Sequence, residues 1–237
     1  MEPKEHKLNG QLLPFTRRGF LGGASALAAA ATSVVQPARA AAGNFLFVSE
    51  LSTDRIYIYK FDKVSGKISP NDQPYLQASS GSGPRHFDFH PNRRWAYAIT
   101  EEASTMLYLA YDAARGTLKI KQSTPSVPES FTGTNFPSAI KLSADGRFLY
   151  GANRLYNSVG IFEINQEGWM VRIGDEWTRG DYPRDIAFDP SGNFMYILHS
   201  RSDNVTSFRV NKNTGQLTFT GQFLSVSNPS SIVFLTL

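Results

Sequence analysis

The chain of 237 residues contains no cysteine, and only 19% of its residues are charged. Without cysteine it can have no disulfide scaffold, no thiol nucleophile and no thiolate ligand for a metal. It also lacks a glycine-rich phosphate loop, a dinucleotide-binding motif, a G-x-S-x-G nucleophile turn and a metal-binding histidine cluster. We therefore expect no cofactor and no metal.

Little of the net charge of +4 belongs to the body of the chain. Residues 1–40 hold five basic and two acidic side chains, which leaves 19 basic and 18 acidic groups in the remainder. Nucleic-acid binding requires a clustered basic surface, so the overall pI of 9.3 does not indicate it. We expect no nucleic-acid partner.

The first 40 residues have the organisation of an export signal. Arg17-Arg18 precedes the alanine-rich stretch Ala24–Val35, and the small-residue cleavage pattern Ala38-Arg39-Ala40 follows. This order predicts a twin-arginine signal peptide over 1–40, cleaved near Ala40. Its partner would be the twin-arginine export machinery, and the mature protein would be periplasmic or secreted. The alternatives are an amphipathic helix or a membrane anchor, but the apolar stretch is shorter than the roughly 20 residues needed to span a bilayer.

The remainder, residues 41–237, is built from a repeat. Four segments begin with proline and continue with alternating apolar residues, and their prolines are 53, 46 and 46 residues apart: Pro84–Phe89, Pro137–Leu142, Pro183–Phe188 and Pro229–Phe234. A second apolar run follows in the first three and ends at Tyr97, Tyr150 and Tyr196, and Phe47 takes this position in the N-terminal segment. Turn formers follow seven residues later, at Asp54, Ser104, Asn157 and Asp203.

Each unit therefore reads as four short β-strands separated by turns. Four strands in a repeat of about 46 residues are typical of a β-propeller blade, and the alternative is an all-β sandwich. The spacing predicts about four blades of four antiparallel strands. The N-terminal segment supplies three strands of a blade, so we expect a C-terminal strand over 231–234 to pair beside Phe45–Glu50 and complete it.

Polar side chains occur where the repeat has no consensus. In antiparallel strands, the residues just after each proline and just after each tyrosine position lie at the same end of the blade, which we call the mouth. The sequence predicts that the mouth gathers Arg85, His86, Glu101, Arg154, Arg184, Asp185 and His199. Arginines hold carboxylates or phosphates, and a carboxylate or imidazole can activate water while arginines stabilise an oxyanion. Alternatively, these charges only pair with each other.

The phrase from Gly83 to Pro91, followed by Tyr97, Glu101, Ser104 and Thr105, resembles the lactonase family of 6-phosphogluconolactonase type. The segment from Pro137 to Arg154, and the C-terminal end of the chain, resemble the same family. The family is seven-bladed and includes a muconate lactonizing branch, so about three blades have no counterpart here. The resemblance implies that Arg85, Glu101 and Arg154 match the polar positions of the family's central cleft, and that His86 belongs to the same motif.

Together these observations predict a hydrolase that opens a sugar lactone. Glu101 or His86 would activate water, Arg85 and Arg154 would hold the acyl oxygen or an anionic substituent, and Arg184, Asp185 and His199 would contact the substrate. The alternative is a non-catalytic, truncated propeller that binds an anionic ligand or a partner. If the ring does not close, the arc leaves strands open or associates with another copy.

Overall fold

The computed structural model describes residues 44–235, whose regular elements are all β-strands. The strands are β1 (Phe45–Glu50), β2 (Arg55–Phe61), β3 (Ile68–Gln77), β4 (Pro84–Phe89), β5 (Trp95–Thr100), β6 (Thr105–Asp112), β7 (Thr117–Pro125), β8 (Pro137–Leu142), β9 (Phe148–Asn153), β10 (Ser158–Ile164), β11 (Met170–Trp177), β12 (Pro183–Phe188), β13 (Phe194–His199), β14 (Asn204–Val210) and β15 (Leu217–Ser225). The predicted signal over 1–40 lies outside the described residues.

The strands form four antiparallel sheets, each of consecutive strands. Blade 1 comprises β1–β3, and blades 2, 3 and 4 comprise β4–β7, β8–β11 and β12–β15. The predicted all-β propeller of about four blades is therefore confirmed, with three four-stranded blades and one of three strands. In the described part of the chain, no helix has the length and apolarity that crossing a membrane would take.

The repeated turn formers shape one hairpin in each blade, which joins β1 to β2 in blade 1 and the second strand to the third in blades 2, 3 and 4. All four adopt a positive φ: 59° at Asp54, 52° at Ser104, 49° at Asn157 and 52° at Asp203. Asn and Asp tolerate this left-handed conformation better than most residues, because their short polar side chains can bond to the local backbone. The constant spacing in the sequence thus reflects a conformational requirement that recurs once per blade.

Apolar side chains on facing strands hold consecutive blades together. Separate buried clusters join blade 1 to blade 2, blade 2 to blade 3, and blade 3 to blade 4. Phe47, Tyr97 and Tyr150, which share one position of the repeat, are each buried in one of these clusters. Fully burying a large apolar side chain contributes about 1.5–3 kcal/mol, so each of these contacts, here called a seam, stabilises its two blades.

Each seam also carries a repeated aromatic–glycine contact. The outer hairpin, which joins the last two strands of a blade, contains a glycine that lies close to an aromatic ring of the preceding blade. A Cβ on this glycine would overlap the ring in blades 2, 3 and 4: Phe45 on Gly116, Tyr108 and Trp95 on Gly168, and Phe148 on Gly215. The hydroxyls of Tyr97 and Tyr150 donate to the carbonyls of Gly168 and Gly215 over 2.9 and 2.8 Å. Only glycine allows both the positive φ and this approach.

The prediction that the C-terminal strand completes blade 1 is wrong. Blade 1 has the strand order β1-β2-β3, and residues 226–235 form no strand. The backbone N–H of Ile232 instead donates to Asp185 in blade 4 over 3.3 Å, and the Phe234 ring packs 5.2 Å from the Tyr196 ring. Residues 226–235 follow β15 directly, so the nearest apolar surface on which they can pack is that of blade 4. Among residues 44–235, no core cluster joins blade 4 to blade 1.

Candidate active site

The first two strands of each blade position the mouth. Pro84 pairs with Thr100, Pro137 with Asn153, and Pro183 with His199, so each inner strand begins where its neighbour ends. The residues directly after these pairs therefore leave the sheet together. Proline fits this place because the first residue of a strand can lack an N–H donor.

Three of the predicted residues meet at the seam between blades 2 and 3. Arg85 Nη1 donates to Glu101 Oε2 over 3.0 Å, and Arg154 Nη1 donates to Glu101 Oε1 over 2.8 Å. Arg85 Nε also donates to the carbonyl of Ser138 over 3.0 Å, which anchors the arginine to blade 3. A single carboxylate thus holds two guanidinium groups, one from each blade, and the trio keeps one net positive charge.

Arg154 is unusual because its guanidinium is buried and only partly satisfied. The side chain is 2% exposed, and neither Nε nor Nη2 has a hydrogen-bond partner. The Tyr182 ring lies 5.4 Å from its Cζ, and Arg201 stacks on the same ring at 3.9 Å. Leaving a buried donor without a partner costs about 1–3 kcal/mol, and more for a charged group. The two free donors therefore mark a place suited to an anionic oxygen.

His86 lies beside this charge cluster on β4. Burial, together with the positive charges of Arg85, Lys141, Arg154 and Arg184, lowers its pKa to about 3. Burial also lowers the pKa of Arg85, and the Arg154 charge acts in the same direction. The imidazole is therefore neutral at pH 7 and keeps a lone pair that can accept a proton.

Two of the residues predicted to contact the substrate, Arg184 and Asp185, differ in their exposure to solvent. Arg184 is exposed, and its charge acts on both Arg85 and His86. Burial raises the pKa of Asp185, whose carboxylate accepts from the backbone N–H groups of Ile186 and Ile232. Asp185 therefore holds the C-terminal segment on the inner strand of blade 4.

His199 ends β13 and pairs with Pro183 at the mouth end of blade 4. Its side chain is fully buried, and its ring fills the space above Gly180, where a Cβ would come within 2.4 Å. Nδ1 lies 3.3 Å from the carbonyl of Asn204, and burial lowers the pKa to about 4. His199 takes the repeat position of Thr100 and Asn153, which is one residue before that of Glu101 and Arg154. Its ring is therefore packed inside the mouth end of blade 4 and is not exposed to a ligand.

Two residues of the site were missed from the sequence. Lys141 on β8 lowers the pKa of His86 and opposes the burial that raises the pKa of Asp185, so its charge reaches both inner strands. Its signal was a lysine between the apolar residues Ile140 and Leu142. Tyr182, which has a φ of 64°, carries the two arginine contacts described above. Its signal was a large aromatic residue directly before the strand-opening proline.

These features define a β-propeller whose mouth carries excess positive charge around a buried, incompletely satisfied arginine. A family model described as "Lactonase, 7-bladed beta-propeller" matches residues 37–234, and the chain belongs to this family.

Several known proteins are similar to the chain. It is 33% identical over 193 residues to a 6-phosphogluconolactonase of Bacillus subtilis (strain 168), covering 81% of this chain and 54% of that protein. A 6-phosphogluconolactonase of Erwinia tasmaniensis is 33% identical over 172 residues, covering 73% and 51%. The structure of the Pseudomonas aeruginosa periplasmic gluconolactonase PpgL superposes with a TM-score of 0.76 at 28% identity, covering 81% and 54%. The chain thus spans about half the length of the curated relatives it matches.

Proposed function

We propose that the chain is a hydrolase that opens a sugar lactone at the mouth between blades 2 and 3. The observation that carries this proposal is the buried Arg154, whose Nε and Nη2 have no partner although Nη1 is held by Glu101. Donors arranged before the reaction stabilise an oxyanion without further reorganisation. The similarity to 6-phosphogluconolactonases and to a gluconolactonase supports the same class of substrate.

In the proposed reaction, water attacks the carbonyl carbon of the lactone and passes a proton to His86. The carbonyl oxygen becomes an oxyanion bound by Arg154 and Arg85. The ring C–O bond then breaks, the leaving oxygen takes up the proton, and the product is an open-chain hydroxy acid. The negative charge that develops at the arginines also favours protonation of His86, because it offsets the positive charges that lower its pKa.

Glu101 is proposed to position the arginines, while His86 serves as the base. Both carboxylate oxygens of Glu101 already accept a hydrogen bond from an arginine, and the side chain is only 17% exposed. A general base must reach the proton it abstracts, and the two guanidinium groups occupy the oxygens that would have to do so. The exposed Arg184 is proposed to bind an anionic substituent of the substrate at the rim.

A second candidate is a non-catalytic module that binds an anion at the same mouth. The observation in its favour is that the chain covers only about half of its relatives, so other blades of those proteins have no counterpart here. This candidate predicts that gluconate or phosphate raises the melting temperature without turnover of any lactone.

The test is lactone hydrolysis by the purified chain, followed by acid release with an indicator dye. Glucono-1,5-lactone and its 6-phosphate are the two substrates, and spontaneous hydrolysis is subtracted. Arg154→Gln is expected to lower kcat/KM at least about 100-fold, the usual cost of removing an oxyanion donor. Arg94→Gln is the matched control, because Arg94 is exposed and precedes β5 at the end opposite the mouth. Equal loss in both variants, or none in Arg154→Gln, refutes the assignment.

We also propose that the protein acts outside the cytoplasm. The support is the Arg17-Arg18 pair with its alanine-rich continuation and the similarity to a gluconolactonase described as periplasmic. Fractionation of cells that express the chain tests this. Replacement of Arg17-Arg18 by Lys-Lys should keep the protein in the cytoplasm, and an unchanged distribution contradicts the proposal.

A further inference from the structure

The connection between blades 2 and 3 is longer than the other two connections between the described blades. It runs over residues 126–136, whereas residues 78–83 join blade 1 to blade 2 and residues 178–182 join blade 3 to blade 4. The extra length accounts for most of the wider proline spacing, which is 53 residues from Pro84 to Pro137 against 46 afterwards. The connection lies at the mouth, where β8 begins. Loops held on a rigid scaffold in this way are common places for binding residues.

Both ends of this connection are anchored beside Arg154. The Asn153 side chain accepts from Asn135 Nδ2 over 2.8 Å and donates to the Ser126 carbonyl over 3.1 Å. The backbone N–H of Arg154 donates to the carbonyl of Phe136 over 3.3 Å. The residues between these anchors are therefore held next to the buried arginine.

The middle of the connection contributes to a row of three aromatic rings, which we call the aromatic strip: Phe131, Tyr156 and Trp177. The Phe131 ring lies 4.5 Å from the Tyr156 ring, which lies 5.4 Å from the Trp177 ring. Gly133 packs on Phe131 so closely that a Cβ would come within 2.6 Å of the ring. Trp177 is 55% exposed, and the other two side chains are half-buried. Adjacent aromatic side chains that stay exposed are typical of a binding surface.

Of the four described blades, only the one that supplies Arg154 carries these rings. Tyr156 directly precedes the turn former, and the other blades have smaller residues at this position: Thr53, Ala103 and Ser202. Trp177 ends the last strand of its blade, and the corresponding residues of the other blades are not aromatic: Gln77, Pro125 and Ser225. The repeat folds without aromatic rings at these positions, so their presence in blade 3 has another reason.

A single turn fixes the aromatic strip relative to the arginine. Tyr156 follows Arg154 by two residues, so their Cα atoms are at most about 7 Å apart. The side chain of Asn157 accepts from the backbone N–H of Tyr182 over 2.8 Å, and the Tyr182 ring lies 5.4 Å from Arg154 Cζ. A molecule bound at Arg154 can therefore extend onto the strip.

The chemistry of the strip suits an uncharged sugar ring. One face of a pyranose presents C–H groups, which pack on aromatic rings, while its edge carries hydroxyls that need hydrogen-bond partners. Burial raises the pKa of Tyr156, and the charge of the neighbouring Asp175 acts in the same direction. Arg172 Nη2 donates to Asp175, whose carboxylate keeps further lone pairs for hydroxyl donors. This pair adds no net charge, in contrast to the positive mouth.

We propose that the preferred substrate is a disaccharide lactone, in which a glucose unit on the 4-oxygen of gluconolactone packs on the aromatic strip. This inference rests on the proposed function. Carbon 4 lies across the six-membered ring from the carbonyl carbon, so the added sugar points away from Arg154 and Arg85 while these bind the carbonyl oxygen. The strip then binds a part of the substrate that takes no part in the reaction, and this binding raises kcat/KM.

Calorimetric titration of the full chain with cellobionate and with gluconate tests the strip without turnover. Cellobionate is the hydrolysed disaccharide lactone, and it should bind at least about tenfold more tightly than gluconate, which corresponds to about 1.4 kcal/mol. Trp177→Ser installs the residue found at Ser225 and should remove this preference. The matched control, Trp169→Ser, replaces an exposed tryptophan at the opposite end of the same blade and should keep it. Thermal melts establish that both variants are folded.

Hydrolysis separates a failure of this inference from a failure of the proposed function. The ratio of kcat/KM for cellobiono-1,5-lactone to that for glucono-1,5-lactone should be at least about 10 and should fall about tenfold in Trp177→Ser only. Tighter binding of cellobionate without hydrolysis of either lactone supports the strip and refutes the reaction. Hydrolysis of glucono-1,5-lactone without preference for the disaccharide overturns the strip and keeps the reaction. Equal affinities for the two acids, or an equal loss of preference in both variants, also overturns the strip.

Discussion

Replacing Arg154 by methionine should make the protein more stable and less active. The substitution removes a buried guanidinium with two unpartnered donors, each costing about 1–3 kcal/mol. It also removes one charge-assisted hydrogen bond to Glu101, worth about 1.5–3 kcal/mol, while the second oxygen of Glu101 keeps its bond to Arg85. Methionine adapts to irregular space and fills most of the volume.

The expected balance is a gain of about 1–2 kcal/mol in the free energy of unfolding. For a domain of this size, that raises the melting temperature by about 2–8 °C. At the same time, kcat/KM for lactone hydrolysis should fall at least about 100-fold. Such an exchange of stability for activity is expected where a polar group is held unsatisfied for a ligand.

Differential scanning fluorimetry with and without inorganic phosphate provides the decisive comparison. A ligand present at 100 times its dissociation constant stabilises the folded state by about 2.7 kcal/mol, so phosphate should raise the melting temperature of the original protein but not of Arg154→Met. The reasoning is refuted if the variant melts more than about 4 °C below the original protein. It is also refuted if phosphate stabilises both proteins equally.

Three further predictions concern pH and the seams. Since burial and neighbouring charges lower the pKa of His86 to about 3, kcat/KM should stay level from pH 8 to pH 5; an acid limb near pH 6.5 contradicts the assigned base. The folded-state pKa of His199 is about 4, so the unfolded chain alone takes up its proton below about pH 6.5, and stability should fall by up to about 3 kcal/mol between pH 6.5 and 4. His199→Asn, which installs the residue found at Asn153, should reduce the dependence of the melting temperature on pH over that range, and the part due to His86 should remain. Tyr150→Phe leaves the Gly215 carbonyl without its donor and should lower the free energy of unfolding in urea by about 1–3 kcal/mol, whereas no change would show that the hydrogen bond is not needed.

The sequence predicted the blades because their determinants are local and recur. Asp54, Ser104, Asn157 and Asp203 follow the tyrosine position by a constant seven residues, since each must occupy the same left-handed turn. The meeting of Arg85 with Glu101 also followed from strand pairing, because antiparallel neighbours begin and end at the same edge, whereas Arg154 joins them through the packing of blade 3 on blade 2.

The rest depends on packing, which a repeat does not encode. His199 differs from Glu101 and Arg154 by a single repeat position, and its side chain is fully buried like those of Thr100 and Asn153 at the same position. The C-terminal segment carries an inner-strand phrase, but pairing beside β1 required that the ends of the arc meet, which no local pattern determines. Tyr182 and Lys141 act through the charges around them, so their part in the site depends on the folded arrangement of neighbouring blades.

The arginine–carboxylate trio occupies one seam. Arg85 and Glu101 come from blade 2, Arg154 comes from blade 3, and the Ser138 carbonyl ties the two blades together beside them. Lengthening or shortening the series of blades elsewhere changes how the circle is completed, yet leaves this trio intact. Two adjacent blades are consequently enough to form the trio itself.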